Sequence, residues 1–136
     1  MKEQLDTIVS ESNNLFSVGQ KQLVCLARAI LRETKILVLD EATANVDLET
    51  DNLIQQKLRS GFKDSTVIII AHRLATVIDT DRILVMNAGK CEEYDHPFKL
   101  LANDESDTSI TSEGYFAKML KATGEETAQT LFEIAK

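Results

Sequence analysis

The stretch Leu15–Glu41, LFSVGQKQLVCLARAILRETKILVLDE, decides the fold, because it runs from a polar turn through an amphipathic segment into an apolar strand that ends on two acids. Ser17 and Gln20 stand three residues apart, the spacing of a capping box at a helix N-terminus. Behind them Leu23, Leu26, Ala27, Ile30 and Leu31 follow the i, i+3, i+4, i+7, i+8 rhythm of one buried helix face. The pattern predicts a helix over 19–33. Ile36-Leu37-Val38-Leu39 follows as a continuous apolar run, and such a run suits a strand covered on both faces of a sheet.

Working outward, Thr66–Ile70 and Arg82–Met86 repeat that strand pattern. Helical patterns lie between the strands, over 49–60 and around Leu74–Ile78. Strand alternating with helix predicts an α/β fold with a mostly parallel sheet flanked by helices. Asn87-Ala88-Gly89-Lys90 reads as a hairpin turn returning the chain through Cys91–Tyr94 as an edge strand. Pro97 suits the first position of a short helix. Asn103–Glu113 is polar and acidic and reads as a mobile loop. Helices over 115–122 and 125–135 close the chain, and no internal repeat is present.

At 136 residues the chain suffices for one ordinary domain with a sizeable core. Hydrophobic content of 43% with 27% charged residues reads as soluble and globular rather than disordered. A formal net charge of −7 argues against a nucleic-acid binder, which carries a basic stripe. Cys25 and Cys91 give neither a disulfide framework nor metal-ligand spacing, and point to a reducing compartment. The longest apolar run, Val67–Ala71, is far too short to span a bilayer, and Met1-Lys2-Glu3 opens no signal peptide. No membrane insertion by this chain is therefore expected.

In open α/β sheets, ligands bind at the carboxyl ends of the strands. The first predicted strand ends in Asp40-Glu41 and the second in Ala71-His72-Arg73. Acids beside a dry core need compensation, and a divalent cation with bound phosphate supplies it. Asp40 would then hold Mg²⁺, partly through water, and Glu41 could draw a proton from an attacking water as general base. His72 could meet a terminal phosphate by a hydrogen bond. The plainer alternative makes Asp40 and Glu41 the start of a turn and His72 a strand cap.

Taken together and in this order, the motifs resemble the C-terminal half of an ATP-binding-cassette (ABC) transporter nucleotide-binding domain. Phe16-Ser17-Val18-Gly19-Gln20 resembles the signature motif, whose usual form is Leu-Ser-Gly-Gly-Gln, with Phe16 and Val18 departing from it. Ile36–Asp40 resembles the Walker B strand, with Glu41 at the catalytic-glutamate position. Ala44-Asn45-Val46-Asp47 resembles the D-loop, and His72 the switch histidine. Ser-Val-Gly-Gln followed by Leu-Val-Cys-Leu-Ala-Arg-Ala is similar to the second cassette of the multidrug-resistance-associated (C) subfamily, where valine is usual at the position of Val18. Asp47-Leu48-Glu49-Thr50-Asp51 and Tyr115-Phe116-Ala117-Lys118-Met119 are similar to it as well.

The resemblance implies a partial P-loop NTPase fold, lacking its N-terminal strands and Walker A loop. It divides residues 1–136 into a signature turn and helix at about 13–33, a Walker B to switch-histidine core with hairpin at 35–95, and C-terminal helices at 96–136. It implies ATP and Mg²⁺ as cofactors, with Asp40 on the metal and Glu41 and His72 catalytic. Ser17, Val18, Gly19, Gln20 and Asp47 would face the nucleotide held by an opposing cassette in a head-to-tail pair. The complete protein would hydrolyse ATP to drive export of small molecules, with this region at the cytoplasmic face of a membrane beneath transmembrane domains. The isolated chain would be soluble and cytoplasmic.

Gly19, Gly61, Gly89, Gly114 and Gly124 are the glycines, and none begins the Gly-x-x-x-x-Gly-Lys-Ser/Thr loop that cradles phosphates. The chain is therefore expected to be a fragment, a truncated product or a split half, with little or no ATPase activity alone. Two other readings stand beside this one. A truncated, inactive cassette could serve only as a partner or regulatory half. Chromosome-condensing and break-repair ATPases share these motifs, but would bring coiled-coil heptads and a basic surface that are absent here.

Overall fold

The computed structural model, which describes residues 16–32, 34–41, 46 and 48–136, divides into two compact units, Met1–Ile70 and Ala71–Lys136. That boundary falls within the span 35–95. Each unit has its own core.

In the first unit, helix α1 (Val18–Leu31) leads into strand β1 (Ile36–Asp40), helix α2 (Leu48–Gly61) and strand β2 (Thr66–Ile70). β1 and β2 pair in parallel, in register from Ile36↔Thr66 to Asp40↔Ile70, with α2 as the crossover between them. At the opposite end from the acids, the Thr66 amide donates to the Lys35 carbonyl at 2.8 Å and the Ser65 hydroxyl to the Thr34 carbonyl at 2.7 Å. Leu37 from β1 meets Ile54, Leu58 and Phe62 in the core, with Leu23, Leu26, Ala29, Leu39, Val46 and Val67 packed around them. The helical stripe is narrower than its sequence pattern. Ala27 is exposed and Leu31 is 84% exposed, while Leu23, Leu26 and Ala29 carry the packed stripe.

The sheet itself covers one face. Leu37 and Leu39 turn inward, while Val38 and Ile68 on the other face are 58% and 50% exposed. The continuous apolar runs led to an expectation of cover on both faces, which the described residues of this unit do not provide.

The second unit runs through helix α3 (Leu74–Val77), strands β3 (Ile83–Asn87) and β4 (Lys90–Asp95), and helices α4 (Pro97–Leu101), α5 (Tyr115–Lys121) and α6 (Glu125–Ala135). β3 does not extend the parallel pair. It pairs antiparallel with β4, so the α/β fold carries two small sheets among the described residues. The reason is local. Ala88 and Gly89 both take positive φ, 47° and 77°, as a tight primed hairpin turn requires, and closing so short a loop costs little. A bulge between Val85 and Met86 shifts the register partway along.

Behind the hairpin, Leu101, Phe116, Leu120 and Phe132 are fully buried with Ile78, and Phe98 packs its ring 5.6 Å from that of Phe132. α5 is capped from a distance. The Glu93 carboxylate on β4 accepts from the amides of Tyr115 at 2.9 Å and Phe116 at 2.8 Å. A Cβ at Gly114 would meet that carboxylate, which would have to shift in its cap to admit it. The stretch 103–113, expected as a mobile loop, is tied by hydrogen bonds. Asp107 accepts from the Thr111 hydroxyl and from the amides of Asp104 and Asn103, bonds that hold its carboxyl below the usual range. The amides of Thr111 and Ser112 both donate to the Leu101 carbonyl.

Candidate functional site

The apolar run of β1 stops at Asp40, and the chain leaves the sheet there with both acids exposed. Asp40 pairs with Ile70, the last residue of β2. The Glu41 amide then donates to the Ile70 carbonyl at 3.0 Å, one step past the end of the strand. Glu41 itself has φ of +44°, in the left-handed region that side chains other than those of Gly, Asn and Asp seldom enter. Two consecutive carboxylates thus stand at the carboxyl end of a parallel pair, where α/β sheets bind their ligands.

At the start of α1 the sequence-predicted cap is present in full. The Ser17 hydroxyl accepts from the Gln20 amide at 3.2 Å, and the Gln20 side-chain oxygen accepts from the Ser17 amide at 2.9 Å. Gly19 is buried, and Ser17 and Gln20 are exposed. Val18 is the first helical residue. A helix of 14 residues presents unsatisfied N–H groups and the positive end of its dipole at this turn, which suits an anion. The capping box and an anion-facing turn are therefore compatible uses of the same four residues.

His72 belongs to the second unit, two residues past Ile70, and is exposed. α3 begins just beyond it, with Arg73 in the N-cap position. Asp47, assigned to the nucleotide-facing set, lies outside the described residues, as do Ala44 and Asn45 of the same motif. Among the described residues no three His, Cys, Asp or Glu side chains gather as a self-sufficient metal cage. A lone Asp40 carboxylate fits Mg²⁺ all the same, since that ion takes one or two carboxylates and completes its octahedron with water and substrate phosphates. The group that sequence reasoning missed is the Ile70 carbonyl. A main-chain acceptor carries no residue-type signal, so only the pairing register reveals it.

Known proteins share this arrangement of sequence. The family profile described as ABC transporter matches residues 1–44, which include α1 and β1. ATP-binding cassette sub-family C member 4 of Homo sapiens is 53% identical over 132 residues, covering 97% of this chain and 9% of that protein. Two proteins of Saccharomyces cerevisiae, Bile pigment transporter 1 and Metal resistance protein YCF1, are each 54% identical over 102 residues. Those matches cover 75% of this chain and 6% and 7% of the respective proteins. The chain thus spans less than a tenth of the length of these curated relatives. No helix among the described residues is long and apolar enough to cross a membrane.

Proposed function

This chain belongs to the ABC transporter family, with its relatives in the C subfamily, and from that premise we propose that it is the C-terminal portion of an ATPase cassette. In the complete protein the cassette binds and hydrolyses ATP to drive export of small molecules. The observation that carries this reading is the pair Asp40-Glu41 at the exposed carboxyl end of β1 and β2, in a chain of this family. Asp40 would hold Mg²⁺, whose bound charge neutralises phosphate oxygens during transfer. Glu41 takes the proton from the attacking water, and His72 donates a hydrogen bond to the terminal phosphate.

Ser17, Val18, Gly19 and Gln20 face the nucleotide of an opposing cassette, with Asp47 in the same interface. The α1 N-terminus supports that role, because its N–H groups and dipole favour phosphate. The chain alone is inactive in this account. Its 136 residues contain no Gly-x-x-x-x-Gly-Lys-Ser/Thr loop, and phosphoryl transfer depends chiefly on holding the triphosphate in place. Cargo is decided elsewhere: two relatives of equal identity carry names that point to a bile pigment and to metal resistance.

The test is nucleotide binding and steady-state ATPase on a complete cassette that contains this region. Asp40→Asn should weaken both magnesium-dependent binding and turnover, because it removes a charge on the metal side. Glu41→Gln should suppress turnover and spare binding. Ser17→Ala should impair mainly the closure of the cassette pair. Equal loss of binding in the first two variants would refute the division of roles.

A further inference from the structure

We propose that the end of β2 positions Glu41 through the main chain in a conformation costly for any side chain, and that the fold carries this cost for the sake of the carboxylate. The proposal rests on the reading of Glu41 as the base. Among the described residues, only Glu41 and Ala88 have positive φ without being glycine. Ala88 has a local cause, since it sits beside Gly89 in the hairpin turn between β3 and β4. Glu41 follows a regular strand, and its amide is fixed by the hydrogen bond to the Ile70 carbonyl.

That bond has a geometric consequence. Residues in a strand alternate between faces, so a regular continuation of β1 would send side chain 41 to the face opposite side chain 40. The left-handed residue breaks the alternation while the amide stays in the ladder. Asp40 therefore keeps the strand's geometry and Glu41 leaves it. Sterically, glycine is the residue best suited to this backbone, and asparagine the next. A glutamate here is consistent with strain retained at a working position.

The experiment is equilibrium unfolding of the full 136-residue chain carrying Glu41→Gly, Glu41→Asn, Glu41→Ala, Glu41→Gln or Glu41→Val, with amide exchange on the parent chain. Glu41→Gly should raise the folded-to-unfolded ratio about fivefold over Glu41→Ala, the relief of left-handed strain outweighing the entropy cost of glycine. Glu41→Asn should fall between those two, and Glu41→Val should rank last. The Glu41 amide should exchange at least about tenfold more slowly than an unprotected amide. A glycine variant no more stable than the alanine variant, or an unprotected amide, would overturn the proposal. In a complete cassette the glycine and asparagine variants should lose hydrolysis as they gain stability. Should Glu41→Gln keep full hydrolysis, the role of base fails, while the order of stabilities still judges the strain.

Discussion

The β1–β2 pair and the layer formed by α4, α5 and α6 are both built from apolar stretches, yet they bury them to very different degrees. In the second unit Leu101, Leu120 and Phe132 are wholly inaccessible, and residues from the hairpin and from α3 close the same core. In the first unit Ile36, Val38, Ile68 and Ile70 line one face of the sheet and remain half exposed or more. The comparison separates two meanings of hydrophobic sequence. In the second unit it records burial achieved within the unit; in β1 and β2 it exceeds what the described residues of the unit cover. The candidate catalytic acids sit on the less supported of the two, where a short parallel pair and one helix-packed face hold them.

The largest expected effect lies in the second unit. Phe132→Ala removes a fully buried ring in contact with Phe98 and should cost about 3–5 kcal/mol in urea unfolding. A cost below about 1 kcal/mol would show that this core is not the better packed one. Next comes the long-range cap of α5. Glu93→Gln weakens two charge-assisted bonds to helix amides, and Gly114→Ala drives a methyl group into the Glu93 carboxylate. Each should cost about 1–2 kcal/mol, and the double variant should cost less than their sum because both act on one contact. The smallest effect is expected on the open face of the first unit. Val38→Thr and Ile68→Thr should each change stability by no more than about 0.5 kcal/mol, since little apolar area leaves the core there. If either matched Phe132→Ala in cost, that face would be buried and the contrast would collapse.

The elements were largely legible in the sequence, for reasons of period and punctuation. Ser17 and Gln20 marked the start of α1, and both cap bonds are made. Pro97 stands at the first helical position of α4, and Asn87-Ala88-Gly89-Lys90 turns the hairpin. Contacts remote in sequence were not legible. Glu93 reaches an amide 22 residues away, and Asp107 gathers donors from both sides of its loop, so neither leaves a local pattern. Nor was the open face of the sheet, because a continuous apolar run looks the same whether one face is covered or two. At the site, Asp40 and Glu41 could be read because the apolar run of β1 ends on them. The left-handed backbone at Glu41 could not, since no glycine or asparagine announces it.

The measurement that bears most directly on the account is paired ATP binding and hydrolysis by Glu41→Gln in a complete cassette containing this region. Glutamine keeps the shape of the side chain but cannot take a proton from water, so the account predicts hydrolysis reduced by at least about 100-fold with ATP affinity within about threefold of the parent. Hydrolysis at the parent rate, or a loss of binding as large as the loss of turnover, would contradict it.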